Sequence, residues 1–113
     1  LRNGDQTKMD IIKIQEAIKK GNVNISEHAD EELENDAIDD AELYYTVLHG
    51  EVIEDYADDK PFPSCLIYGR DKNNKPVHSV WAYSERHKIA VLITAYIPDH
   101  EKWINYKIRK PKR

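Results

Sequence analysis

The 113-residue sequence has one cysteine, one methionine, one phenylalanine and four glycines. A lone cysteine, Cys65, excludes an internal disulfide and a cysteine-based zinc site within one chain, and makes a reducing cytoplasm the expected compartment. No apolar run approaches the roughly 20 residues that a membrane-spanning helix requires, so no membrane association is expected. Residues 1–8 carry no apolar core of the secretory kind and precede Met9, and they are read as a leader foreign to the fold. Internal repeats and low-complexity linkers are absent as well. What is left is one domain, expected over residues 9–106, followed by a basic tail at 107–113.

Charge is plentiful but segregated. The net charge of −4 speaks against a surface that is basic throughout. From Glu27 to Asp59 there are fourteen Asp or Glu and no Lys or Arg, whereas from Lys60 to Arg113 twelve Lys or Arg face four acids. The first half of the chain is therefore acidic and the second half basic.

Periodicity assigns the halves to helices and strands. Asp10 caps an expected helix over Ile11–Lys20, with Ile11, Ile14 and Ile18 on one face and Gly21 beyond its end. Residues 22–25 form a short extended link, a candidate edge strand. Ser26 caps a second helix whose first turn holds Glu27 and Asp30, where the helix dipole favours acids. Asp39 and Glu42 have capping-box spacing for a third helix that ends at Gly50. Glu51–Tyr56 reads as a strand, and the two prolines of residues 58–63 as a loop. Residues 64–97 then give two hairpins in succession: an apolar run at 64–69, turn residues at 71–76, an alternating run at 77–83, and a nearly continuous apolar run at 89–97. Asp99 is expected to cap a short helix over 101–106. The resulting fold class is α+β, with the N-terminal helices packed on one face of a four-stranded antiparallel meander sheet.

Several strings resemble one family: Ile25-Ser26-Glu27-His28 entering a helix, the run Gly50–Tyr56, Pro61–Leu66, Pro76-Val77-His78, and Ile93–Pro98 followed by Trp103. Together, over about residues 9–104, they are similar to a bacterial family of small DUF-type domains placed with the RelE/ParE-like toxins, whose genes often neighbour a YgiT-type zinc-finger antitoxin. The resemblance implies a RelE-like fold, metal-independent RNA cleavage as the toxin component of a type II toxin–antitoxin pair, an RNA substrate and a zinc-finger antitoxin partner. Many members carry arginine one helical turn after the histidine; here that residue is Glu32.

RNA cleavage without metal needs a base for the 2′-hydroxyl, an acid for the leaving oxygen, and cations around the phosphate. His28, His78, Arg86 and Tyr96 are the candidate catalytic residues. His28 sits in the first turn of a helix, and His78 lies on a central strand. Arg70, Lys72, Lys75, Tyr83 and Lys88 are the candidate RNA-binding residues, supplying phosphate neutralisation and base stacking. Asp55, Asp58 and Asp59 cluster too, but read as a solvated loop, and no metal or cofactor is expected. The competing reading is a non-catalytic protein-interaction module on the same fold, with the acidic helices as its contact surface.

Overall fold

The structure, a computed structural model, describes residues 10–111. The leader expected at 1–8 and the last two residues of the tail lie outside these. Among the described residues, three helices and a five-stranded sheet make an α+β domain.

The helices begin and end where their capping chemistry dictates. Helix α1 (Ile11–Lys19) starts at Asp10, whose side chain accepts from the Ile12 amide at 3.0 Å. It ends in a Schellman turn: Gly21 lies at φ +77°, its amide donates to Ile18 O, and the Asn22 amide donates to Ala17 O. Helix α2 (Glu27–Asn35) is capped by Ser26, which accepts from the Ala29 amide at 3.1 Å. Its C-terminal turn has the same geometry, with Ala37 instead of glycine at φ +55°. Helix α3 (Asp40–Leu48) opens with a complete capping box. The Glu42 amide donates to Asp39 at 2.7 Å, and the Asp39 amide donates to Glu42 at 3.1 Å.

Strands β2 (Glu51–Tyr56), β3 (Ser64–Arg70), β4 (Pro76–Ser84) and β5 (Ile89–Tyr96) form an antiparallel meander. The expected four-stranded sheet is nonetheless incomplete. β1 (Val23–Ile25) adds a fifth strand, parallel to β5 with Val23 opposite Ala90, so the sheet is mixed with order β1-β5-β4-β3-β2. The extended link thus becomes the edge strand, and the Ala90 amide donates to Asn22 O at its start.

The C-terminal segment differs from expectation more. No helix forms over 101–106. Instead β6 (Trp103–Ile104) and β7 (Ile108–Arg109) pair antiparallel as a separate two-stranded ribbon, and the basic tail supplies its second strand. The turn between them has Asn105 at φ +53° and Tyr106 at φ +63°, which turns the chain back before a helix can propagate.

Strand alternation sorts the sheet into two faces. Cys65, Ile67, Val77, Trp81, Ala90, Leu92 and Ala95 face the helices, where they close the core with Ile14, Ala17, Ala29, Leu33, Leu43 and Val47. Burial lifts the Cys65 thiol to about 12, so it acts as a small apolar filler. α3 approaches β3 so closely that a Cβ on Gly69 would lie 2.0 Å from Thr46 O. The opposite face carries Glu54 and Tyr56 from β2, Leu66 and Tyr68 from β3, His78 from β4 and Tyr96 from β5; Glu54 lies opposite Leu66, and Tyr68, His78 and Tyr96 form one cross-strand row. The β6–β7 ribbon lies across it. Bulges at Ile53 in β2 and Ile93 in β5 keep these residues on one side.

Candidate functional site

The face turned away from the helices gathers the polar chemistry of the second half of the chain. In the β3–β4–β5 register, Tyr68 lies opposite His78 and His78 opposite Tyr96. His78 is wholly buried, yet both ring nitrogens are engaged. Nε2 lies 2.6 Å from Tyr106 O, and a carbonyl only accepts, so Nε2 carries the proton. Nδ1 is then the acceptor for the Tyr96 hydroxyl at 3.3 Å. Trp103 meets the imidazole edge-on at 4.6 Å between centroids, with Tyr96 at 5.3 Å and Tyr68 at 6.0 Å.

Glu54 sits beside this aromatic box. Arg109 donates to it twice, from Nε at 3.3 Å and from a terminal nitrogen at 3.0 Å, and the Tyr56 hydroxyl donates at 2.5 Å. Burial opposes the charge of Glu54, but the hydrogen bonds from Arg109 and Tyr56 outweigh it and hold the carboxyl below its usual range. Burial pushes His78 down, against the Tyr106 carbonyl and the charge of Glu54, with Arg109 adding to the depression. Burial pushes Tyr96 up; Arg109 works against this, and Glu54 and Glu32 reinforce it. Tyr56 rises through burial and its bond to Glu54. These groups form one electrostatic unit: an ionised carboxylate, a guanidinium, a neutral imidazole and two protonated phenols.

Of the four expected catalytic residues, the fold brings His78 and Tyr96 together. Arg86 is not with them. It lies in the exposed turn beyond Ser84, and six strand residues from His78 to Ser84 span about 20 Å. Around Arg86, Glu85 is paired with Lys13 at 2.6 Å and with Lys88 at 3.7 Å. His28 stands exposed on the first turn of α2, with Nε2 3.6 Å from Glu32. Glu32 in turn accepts from the Thr94 hydroxyl of β5 at 2.6 Å, so the first turn of α2 is tied to the sheet through Glu32.

The expected RNA-binding residues divide between the two ends of β4. Arg70, Lys72 and Lys75 lie around the β3–β4 turn, at the His78 end. Arg70 lies over the rings of Tyr68 and Tyr106, while Lys72 turns toward Tyr45 of α3. Tyr83 and Lys88 lie at the far end, where they border a small cleft with Lys13 and Glu16 of α1 and with Lys20 just beyond it. One RNA face holding all five is therefore not what the fold builds.

Glu54 and Tyr56 were not among the expected residues, whereas Arg109 belongs to the basic second half as a phosphate cation and Trp103 as a stacking ring. A signal for Glu54 and Tyr56 exists in the alternation of β2, which sets both on the face of His78. That Arg109 meets Glu54 follows only from the ribbon's own pairing, which puts Trp103 opposite it. Among the described residues no group of three or more His, Cys, Asp or Glu is disposed to hold a metal ion, and no helix is long and apolar enough to cross a membrane.

No curated protein and no solved structure matches the chain. The family match covers α2 through the end of β5, and includes Glu54, Tyr56, His78 and Tyr96 but not the β6–β7 ribbon; nothing in it speaks of toxins or of a zinc-finger antitoxin. The model of a domain of unknown function, DUF4258, matches residues 25–97, most of the chain, and the chain belongs to that family.

Proposed function

We propose that this protein is a metal-independent endoribonuclease, acting as the toxin component of a type II toxin–antitoxin pair on a RelE-like fold. The observation that carries the reading is the convergence of Glu54, Arg109 and Tyr96 on one sheet face with their protonation states already separated. Glu54 is the base that takes the 2′-hydroxyl proton. Tyr96, still protonated, gives its proton to the leaving 5′-oxygen, and the 2′-oxygen closes on phosphorus as the P–O5′ bond breaks. Arg109 moves from the carboxylate to the phosphate as Glu54 loses its charge. The tyrosinate and the protonated carboxyl then reset through solvent. His78 is a positioning residue that holds the Tyr96 hydroxyl, and Arg70 and Lys75 flank the path of the backbone.

The test is cleavage of single-stranded RNA in EDTA, with 2′,3′-cyclic phosphate ends as the product. Glu54→Gln and Tyr96→Phe are each expected to slow cleavage at least ~100-fold, the usual contribution of a general acid or base. Arg86→Ala is expected to change it less than about twofold, since Arg86 lies outside the reach of the site. Intact RNA at micromolar protein, or a Glu54→Gln variant as fast as the parent, overturns the reading. Growth arrest on expression, relieved by a neighbouring zinc-finger protein, tests the pairing.

One observation favours the second reading, a protein-interaction module. His78 is completely buried and its hydrogen bonds are satisfied, as a structural histidine's would be. In that reading His78→Ala abolishes no activity and leaves partner binding through the acidic helices in place.

A further inference from the structure

We infer that residues 99–111 form a removable strap over the helix-free face, and that RNA phosphates displace it; the RNA half of this rests on the ribonuclease reading above. The strap's two strands pair only with each other and form no backbone ladder with the five-stranded sheet. Two-stranded ribbons of this size have little stability of their own, so their place depends on what they dock against. Every tie to the sheet runs through a side chain. Tyr106 O accepts from His78, Arg109 pairs with Glu54, and Lys107 pairs with Glu51 at 2.9 Å. Trp103, 5% exposed, covers the imidazole, and Arg70 lies over Tyr106.

The ribbon's inner and outer sides differ. Trp103 and Arg109, paired with each other, face the sheet, and Arg109 also lies over the Trp103 ring at 4.6 Å. Ile104 and Ile108, also paired, are left 42% and 62% exposed. The closed position also holds strain. The turn puts Asn105 and Tyr106 both at positive φ, which asparagine tolerates and a tyrosine does not. Such a residue stays where its surroundings hold it, and here the holding contacts are the His78 bond and the stack with Arg70.

The two cations that fasten the strap are the groups a polyanion would compete for. Lys107 and Arg109 are each matched by one glutamate of β2, and both pairs are at least partly open to solvent. A phosphate backbone offers the same cations a denser array of negative charge. Lifting the strap then frees Glu54, uncovers His78 and Tyr96, and turns Lys107 and Arg109 toward the RNA.

The experiment reads the accessibility of His78 in the full chain by diethyl pyrocarbonate labelling and peptide mass spectrometry, with exposed His28 as internal reference. In the parent protein His78 should label far more slowly than His28. Trp103→Ala removes the ring over the imidazole and should raise the His78 rate at least ~10-fold, leaving His28 unchanged and the far-ultraviolet spectrum native. Glu51→Lys repels Lys107 and should raise it about threefold, as expected when an exposed ion pair of modest worth becomes a repulsion. Adding Lys107→Glu to Glu51→Lys should restore protection, an effect general unfolding would not produce. Affinity for a single-stranded oligoribonucleotide should rise with the open fraction in the same order. If both single variants label at the parent rate while natively folded, the strap is a fixed part of the domain and the inference fails. If His78 becomes reactive while RNA is neither bound nor cut, the strap stands and the ribonuclease reading fails.

Discussion

Gly69 sets the distance between the helical layer and the sheet, and replacing it with alanine tests that. A Cβ there would lie 2.0 Å from Thr46 O, 2.8 Å from Thr46 C and 3.1 Å from Thr46 Cα, all backbone atoms of α3. No side chain can swing aside to relieve this. Ordinary contact begins near 3.4 Å, so α3 and β3 must separate by more than an ångström at this point. The helix is poorly placed to move, because Leu43 and Val47 are wholly buried in the core. Separation therefore opens voids beneath both, and the overpacking and cavity penalties together come to about 2–4 kcal/mol. With a urea slope of roughly 1–3 kcal/mol/M, the unfolding midpoint should fall by about 1–2 M, with the slope itself unchanged. Gly21→Ala is the control: φ is +77° but no atom lies within 4 Å, so only the backbone penalty of about 1 kcal/mol applies. A Gly69→Ala variant within about 0.5 kcal/mol of the parent would show that the layers are not in forced contact, and the argument for α3's placement would fall.

Three further expectations concern the end of α2, the capping box of α3 and His78. Ala37 occupies the left-handed end of α2, so Ala37→Gly should stabilise by roughly 0.5–1 kcal/mol in thermal melts, and a destabilised variant would refute the strain. Breaking the capping box with Asp39→Ala should cost about 1 kcal/mol, measured by urea unfolding, and Asp39→Ser should recover most of it. Stability should fall as the pH drops below about 6.5, because the unfolded chain protonates His78 at its ordinary value while the folded state, its pKa depressed by burial, resists the proton; above that pH His78 contributes no slope. Unfolding midpoints at pH 7.5 and 5.5 measure this, and a His78→Phe variant retaining the full difference would assign it elsewhere.

Local chemistry made much of this fold readable. Asp10, Ser26 and Asp39 each announce a helix start through an oxygen that an early amide can reach, and all three make that bond. The alternation of Val77, Ser79 and Trp81 against His78 follows from strand geometry alone, and the fold keeps it. Features that depend on distant residues were not readable. Residues 23–25 carry no sign that they pair with Ala90–Leu92, because a parallel partner 67 residues away leaves no mark on three residues. The segment from Asp99 opens on an acid that suits a helix cap. It becomes a ribbon because its rings and cations find His78, Glu54 and Glu51, and only the folded sheet presents those. The candidate site divides on the same line. His78 and Tyr96 are joined by hairpin register, a near-local relation. Arg86 looked equivalent by residue type, but hairpin register carries it to the opposite end of the strand.

Charge segregation along the chain acquires a structural meaning at that ribbon. The acidic half includes β2, whose Glu51 and Glu54 point to the face left bare by the helices. The last basic residues return across that face and neutralise them, with Lys107 on Glu51 and Arg109 on Glu54. A purely structural fastening would be served better by apolar contact, since partly exposed ion pairs contribute about 1 kcal/mol or less. The ribbon keeps Ile104 and Ile108 outward, sets only Trp103 as a buried apolar contact, and fastens its half-exposed rim with Lys107 and Arg109. Held in this way, it is weak against added salt and polyanions and firm against water. A sheet face whose carboxylates are covered by exchangeable cations suits a site that must stay closed until an anionic chain arrives. Raising the salt should loosen the strap before it unfolds the domain: at 1 M sodium chloride, where the screening length is about 3 Å, His78 labelling should accelerate while the helical signal holds. Coincident loss of both would mean that the ribbon and the sheet form one cooperative unit, and that the charges serve packing alone.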